Sequence, residues 1–261
     1  YMTELHVHIF KDMMCESLFL FSENIGSALA ICVPVSKPTF DPNGKMPLHY
    51  FAIPDMYMMH TFTTGGMALR WFRDKFCKNE MAVESVSDME PASVPAGAEG
   101  LLMLPHLSGS LAPDVNARAK GVWFGFTMKH TKAHFVRAIF EAVGYILQRN
   151  IDTLAAMGIQ VKEVRSLGGG SKSAVWSQIK SDITGKKLLT TKSKEAACLG
   201  AAILAGKAVG IFDSIDGAVD SMIDIKAEFE PDRDNREVYK KGYDMYCRLF
   251  HDLTDCFDQT I

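Results

Sequence analysis

Three glycines in a row, Gly168, Gly169 and Gly170, are followed by Ser171, Lys172 and Ser173 and then by an amphipathic stretch that ends at Gly185. A phosphate approaching a protein needs amide N–H donors at close range, and any Cβ on the loop holds it away. Three glycines remove those atoms and permit positive φ. Ser171 or Ser173 then opens a helix, whose first N–H groups have no intrahelical partner and point back at the loop. Lys172 adds a positive charge. The combination suits an anion or a nucleotide. It is not a Walker A loop, because Ser-Lys rather than Gly-Lys precedes Ser173. It also lacks the last glycine of the GxGxxG fingerprint, which argues against a Rossmann-type dehydrogenase. On spacing alone, a phosphate cradle and a tight strand-to-helix turn explain the loop equally well.

A second junction of the same kind lies at Gly65 and Gly66, where a β stretch runs into a helix with Leu69, Phe72 and Phe76 on one face. Two such junctions facing one ligand is the functional alternative to a second turn. The small-residue helix "CLGAAILAG" (198–206) reads as core packing through Gly200, Ala201 and Ala205, with backing of the glycine loop as its alternative. The aromatic face Tyr239, Tyr243, Tyr246, Phe250 and Leu253 reads as core rather than a base-stacking platform. His6 and His8 lack further ligands in a fixed geometry, so no metal site is expected. Asp55, Asp74, Asp114 and Asp182 stand in no motif that makes a catalytic base, and are read as solvated or capping residues.

These groups need elements to hold them. Residues 18–62 read as β, with a hairpin turn at 41–45 in which Asn43-Gly44 supplies positive φ. Residues 85–120 form a loop-rich insertion that contains a short buried strand at 100–105. Val136, Phe140, Val143, Leu147, Ile151 and Leu154 repeat at steps of three and four, which predicts a helix over 131–157 with Gly158 as its stop. A strand at 161–167, a helix carrying Val175, Ile179 and Ile183, and a strand at 187–191 follow. Ser193 caps the next helix, with Glu195 in its first turn. A last helix starts near Asp234. Strands with a hairpin, then strand and helix in alternation, predict an α/β or α+β chain with a mixed sheet flanked by helices.

The 261 residues are 48% hydrophobic and 23% charged, with a net charge of -3. That balance suits a globular protein and gives no basic footprint for nucleic acid. No apolar run is long enough to span a membrane. His6, His8, Lys11 and Asp12 interrupt the N-terminal apolar residues, so these residues are not expected to be a signal peptide. Six scattered cysteines without a CxxC pair read as reduced, mostly buried thiols of a cytoplasmic protein. A start at Tyr1 fits a fragment or a processed chain.

The stretch "SLGGGSKSAVWSQIKSDITGKKLLTTKSKEAACLGAAILAG" resembles the C-terminal signature of the FGGY carbohydrate kinases, especially their xylulokinase-like branch. "LPHLSGSLAPDVNARAKGVWFGFTMKHTKAHFVRAIFEAVGYIL", "TTGGMALRWFRD" and "FEPDRDNREVYKKGYDMY" are similar to further motifs of that family, in the same order. The likeness runs from about residue 24 to about residue 255. It implies a ribonuclease H-like domain of the actin and sugar-kinase superfamily, here the single C-terminal domain over 1–261 with the N-terminal kinase domain absent. It implies Mg-ATP, with Mg2+ as cofactor, and a ketopentose or related sugar as substrate. Gly168, Gly169, Gly170 and Ser171 would then serve the nucleotide phosphates and ribose, and Ser173 the adenine side. Gly65, Gly66 and Arg70 would line the pocket from its other side.

The family's catalytic Asp and its Asp-x-Gly-Thr loop belong to the N-terminal part and have no counterpart here, so this chain alone is expected to be inactive. Of the family's strand turn that handles the terminal phosphate, expected in "SENIGSALA" (22–30), only Gly26 and Ser27 remain. A non-catalytic module of actin-like fold that binds a protein partner is the alternative function. An apolar face that the N-terminal domain normally covers would offer a route to a homodimer.

Overall fold

The computed structural model describes residues 19–77, 91–193 and 196–259. In chain order its elements are β1 (Phe19–Ile25), β2 (Ala28–Val35), β3 (Leu48–Tyr50), β4 (Tyr57–Thr64), α1 (Met67–Phe76), β5 (Leu102–Pro105), β6 (Gly121–Phe124) and α2 (Lys132–Ala156). Then come β7 (Val161–Leu167), α3 (Ala174–Thr184), β8 (Lys187–Thr191), α4 (Ala196–Ala208), α5 (Ile215–Met222), β9 (Ile225–Phe229), α6 (Arg236–Asp252) and α7 (Thr254–Gln259). Seven strands make one sheet in the order β3-β4-β2-β1-β7-β8-β9, and β5 pairs with β6 apart from it. β1, β7 and β8 pair in parallel, and the remaining neighbours are antiparallel. The mixed sheet expected from the sequence is therefore present.

Strand periodicity sets the buried face. Leu29, Ile31, Val33 and Val35 alternate along β2 and all enter the main core. On the helical side, the six apolar residues that predicted α2 are all buried. Thr131 and His134 form a capping box at its start, and Gly158 turns away at φ 82° after its end. Trp176 of α3 lies flat on Phe140 of α2, with ring centroids 4.2 Å apart, and its Nε1 donates to the Phe140 carbonyl at 3.2 Å. Tyr239 and Tyr246 of α6 are buried in the same core, as the aromatic face suggested. A smaller core joins Ile203 of α4 and Val219 of α5 to Phe51 and Phe212.

Four expectations change. The turn at 41–45 is not a hairpin, because β4 lies between β2 and β3 and pairs with both. Gly44 supplies its positive φ without Asn43, and the Asp41 carboxylate gathers the N–H groups of Asn43, Lys45 and Met46. Ala201 and Ala205 are exposed on α4, so its packing is carried by Gly200, Ile203 and Gly206 instead. Cys32 and Cys77 are buried, but Cys198 and Cys256 are exposed and Cys247 is intermediate. Asp114 and Asp182 are structural rather than solvated: Asp114 pairs with Arg149 through two oxygens, and Asp182 accepts from the Asp232 amide and the Asn235 side chain. The pair His6 and His8, Cys15, the segment 78–90 and Glu195 lie outside the described residues.

His106, 2% exposed, sits between Tyr246, which it meets at 3.2 Å, and the ring of Phe250. Burial lowers its pKa from 6.5 to about 4, against a weaker pull from Asp114. The folded state therefore holds His106 neutral where the unfolded chain is protonated. Its stabilising effect is present above pH 6.5 and is lost as pH falls towards 4. Over that window the loss amounts to about 3 kcal/mol. Urea unfolding at pH 7 and pH 4.5 checks this: His106→Gln is expected to show a much shallower decline than the unsubstituted chain.

Candidate functional site

β2 runs against both β1 and β4, while β7 and β8 run with β1. Four chain exits, after Ile25, Thr64, Leu167 and Thr191, therefore lie along one edge of the sheet. In open α/β sheets, ligands bind outside the carboxyl ends of the strands. Both glycine junctions stand on this edge, and both pack against the turn that joins β1 to β2.

The glycine triplet meets that turn at Asn24 and Ile25. Gly168 has φ 79° and ψ -166°, which only glycine adopts readily, and a Cβ there would collide with the Asn24 Oδ1. At Gly170 a Cβ would collide with the Ile25 side chain. Gly169 differs. It is exposed, its φ is not positive, and the nearest atom to a Cβ would be 3.9 Å away. Neither conformation nor packing requires glycine at 169.

Residues Gly169–Lys172 form a single 3-10 turn. As at any helix start, its opening amides have no acceptor within the turn itself. Ser171 Oγ donates to the Gly168 carbonyl at 2.8 Å and stiffens the turn. Ser173, buried, is the N-cap of α3: its Oγ accepts the Trp176 N–H at 3.1 Å. Lys172 is exposed.

Gly65 and Gly66 are close-packed on the same turn. A Cβ at Gly65 would strike the backbone of Ala28, and one at Gly66 the carbonyl of Gly26. The Gly66 and Met67 amides already donate to the Gly26 and Ser27 carbonyls, at 2.9 and 2.8 Å. These glycines let the start of α1 lie directly on the β1–β2 turn, where the Gly26 and Ser27 carbonyls meet it. Arg70 is exposed one turn into α1, and its amide donates to the Gly66 carbonyl.

One polar group beneath the loop escapes sequence reasoning. Glu23 of β1, Ser166 of β7 and Lys180 of α3 are each fully buried. Ser166 Oγ and Lys180 Nζ both donate to Glu23 Oε1, and Lys180 Nζ also meets Ser166 Oγ at 2.8 Å. The stripe read for α3 is displaced accordingly. Val175 and Ile183 are only half-buried, while Ser177, Lys180 and Ser181 face inward. A lysine in an amphipathic helix reads as a solvent-side residue, so only its position one turn after Trp176 hinted otherwise.

The described residues hold no group of three His, Cys, Asp or Glu side chains arranged for a metal ion. None of their helices is long and apolar enough to cross a membrane. A cavity of about 10 Å³ opens between Thr63, His106, Ser110, Asp114, Arg149 and Tyr246. It has room for about one water.

The family model for the C-terminal domain of the FGGY carbohydrate kinases matches residues 31–209. The chain belongs to this family. Over 206 residues it is 35% identical to the xylulose kinase of Staphylococcus epidermidis, which covers 78% of this chain and 41% of that relative. It is 32% identical over 246 residues to the gluconokinase of Bacillus subtilis, covering 90% of this chain and 47% of the relative. The gluconate kinase of Lactobacillus acidophilus superimposes with a TM-score of 0.85 at 23% identity, over 99% of this chain and 51% of that one. The FGGY domain thus has the ribonuclease H-like fold of the actin and sugar-kinase superfamily. The chain spans somewhat less than half the length of these two curated FGGY relatives.

Proposed function

We propose that this chain is the nucleotide-binding C-terminal half of an ATP-dependent sugar kinase. The complete enzyme would transfer the γ-phosphate of ATP to a hydroxyl of a ketopentose such as xylulose, or of a related sugar, in the cytoplasm. Gly169 carries the reading, because its missing side chain is needed by no neighbour. The amides of Gly168, Gly169 and Gly170, with Ser171 and Lys172, would take the phosphates. Ser173, which also caps α3, would stand on the adenine side. Gly65 and Gly66 would support the β1–β2 turn, and Arg70 would flank the nucleotide from α1. Mg2+ would travel with the phosphates and the N-terminal half. Phosphoryl transfer rests on positioning and charge stabilisation around a base that takes the hydroxyl proton. Asp114 and Asp182 are already engaged, so the base would come from the N-terminal half.

Two substitutions separate packing from binding. Gly168→Ala is expected to lower stability by about 1–3 kcal/mol, through strain at positive φ and the clash with Asn24. Gly169→Ala is expected to leave the urea midpoint unchanged or slightly raised, and to weaken Mg-ADP binding about ten-fold or more. Unaltered Mg-ADP affinity in Gly169→Ala speaks against the reading. The sugar is tested by supplying the N-terminal half in trans and following ADP release with xylulose and with gluconate. Turnover with xylulose supports the ketopentose, and turnover with gluconate alone replaces it. A stoichiometric protein partner without nucleotide binding favours the non-catalytic module.

A further inference from the structure

Glu23, Ser166 and Lys180 come from three elements, and those three elements supply the glycine loop. β1 ends in Asn24 and Ile25, on which the loop rests. β7 runs through Ser166 into Gly168. α3 starts at the Ser173 cap, two turns before Lys180. Glu23 and Ser166 are direct neighbours in the parallel register, and Lys180 bridges them. We propose that this buried triad is a positioning element that fixes the aim of the Gly168–Gly170 amides. The proposal rests on reading the loop as a nucleotide site.

A buried ion pair is a poor source of stability, since apolar residues of similar size often serve as well or better. What it adds is direction: hydrogen bonds hold strand, strand and helix at one spacing, which apolar contact does not. The triad is also incompletely satisfied. Among the described residues, Glu23 Oε2 and Ser177 Oγ, the latter one turn before Lys180, are buried without hydrogen-bond partners. Lys180 further cancels a carboxylate that would otherwise stand directly behind a loop that receives an anion.

The test uses the whole 261-residue chain with all three residues made apolar, Glu23→Leu, Ser166→Ala and Lys180→Met. This variant is expected to unfold cooperatively near the original urea midpoint. Two readouts follow. Without nucleotide, the 15N amide resonances of Gly168, Gly169 and Gly170 are expected to shift, and their hydrogen exchange to quicken. With Mg-ADP, affinity is expected to fall about ten-fold. Unmoved glycine resonances and exchange rates in the folded variant overturn the positioning role, whatever the nucleotide does. If the unsubstituted chain does not bind Mg-ADP, the nucleotide reading falls, and the glycine resonances still decide the role of the triad. Should the triple variant not fold, Glu23→Gln takes its place under the same criteria.

Discussion

Lys180→Met is expected to destabilise the chain by about 3–5 kcal/mol. The side chain is fully buried, and its ammonium group neutralises Glu23. Methionine matches the length of the lysine stem but leaves a carboxylate in the interior with only Ser166 as donor. A lost cation there is far worse than a lost pair, because the remaining charge has no water to turn to. Domains of this size are stable by about 5–15 kcal/mol, so the variant would lose a large share of the total. Adding Glu23→Leu removes the stranded charge and is expected to restore most of the loss. Urea unfolding of the single and double variants checks both halves. A single variant within 1 kcal/mol of the unsubstituted chain would show that the ion pair does not have the buried geometry described.

Arg137→Met is the second large effect, also expected at about 3–5 kcal/mol. The guanidinium, nearly buried in α2, donates to Glu141 at 2.9 Å, to the Pro91 and Val94 carbonyls at 3.1 and 3.0 Å, and to Tyr239 Oη at 2.5 Å. Glu141 also accepts the Gly97 amide at 2.9 Å. The Arg137–Glu141 pair thus joins α2 and α6 to the segment from 91 to 97. Burial pushes the Glu141 carboxyl up to about 7, although Arg137 pulls it down. Without Arg137 it rises further. The folded variant then keeps a proton that the unfolded chain releases above about pH 4.5. Stability of the variant is fully present below that pH and is lost as pH rises through the folded value. The deficit against the unsubstituted chain is therefore expected to be larger at pH 8 than at pH 5.5. Faster hydrogen exchange at Gly97 should accompany it.

The sequence made some of this visible for physical reasons. α2 was plain because its apolar residues keep one helical face over 25 residues. The Gly168–Ser173 loop was plain because glycine runs are rare and meet a capping serine. Two of the missed elements carried a signal. Ile225, Ala227 and Phe229 alternate with Lys226 and Glu228 in β9, the pattern of a half-buried strand. Ser214 caps α5 through the Gly217 amide, but Gly217 inside the helix weakens its propensity. The false hairpin at 41–45 and the triad share another cause. Whether β4 enters between β2 and β3, and whether Lys180 faces Glu23, depends on contacts between residues far apart in the chain. Local pattern does not encode those contacts.

The two glycine junctions looked alike in sequence and differ in structure for the same reason. Gly65 and Gly66 are glycines because the β1–β2 turn crosses them. At Gly169 nothing crosses.

Titrating Mg-ADP into the 15N-labelled chain, with heat measured in parallel, tests most directly whether that open backbone receives phosphate. Saturable shifts concentrated at Gly169 and Gly170, matched by a calorimetric binding isotherm, are the expected result. Amides from 168 to 173 that stay still at millimolar Mg-ADP, with no heat released, would contradict it.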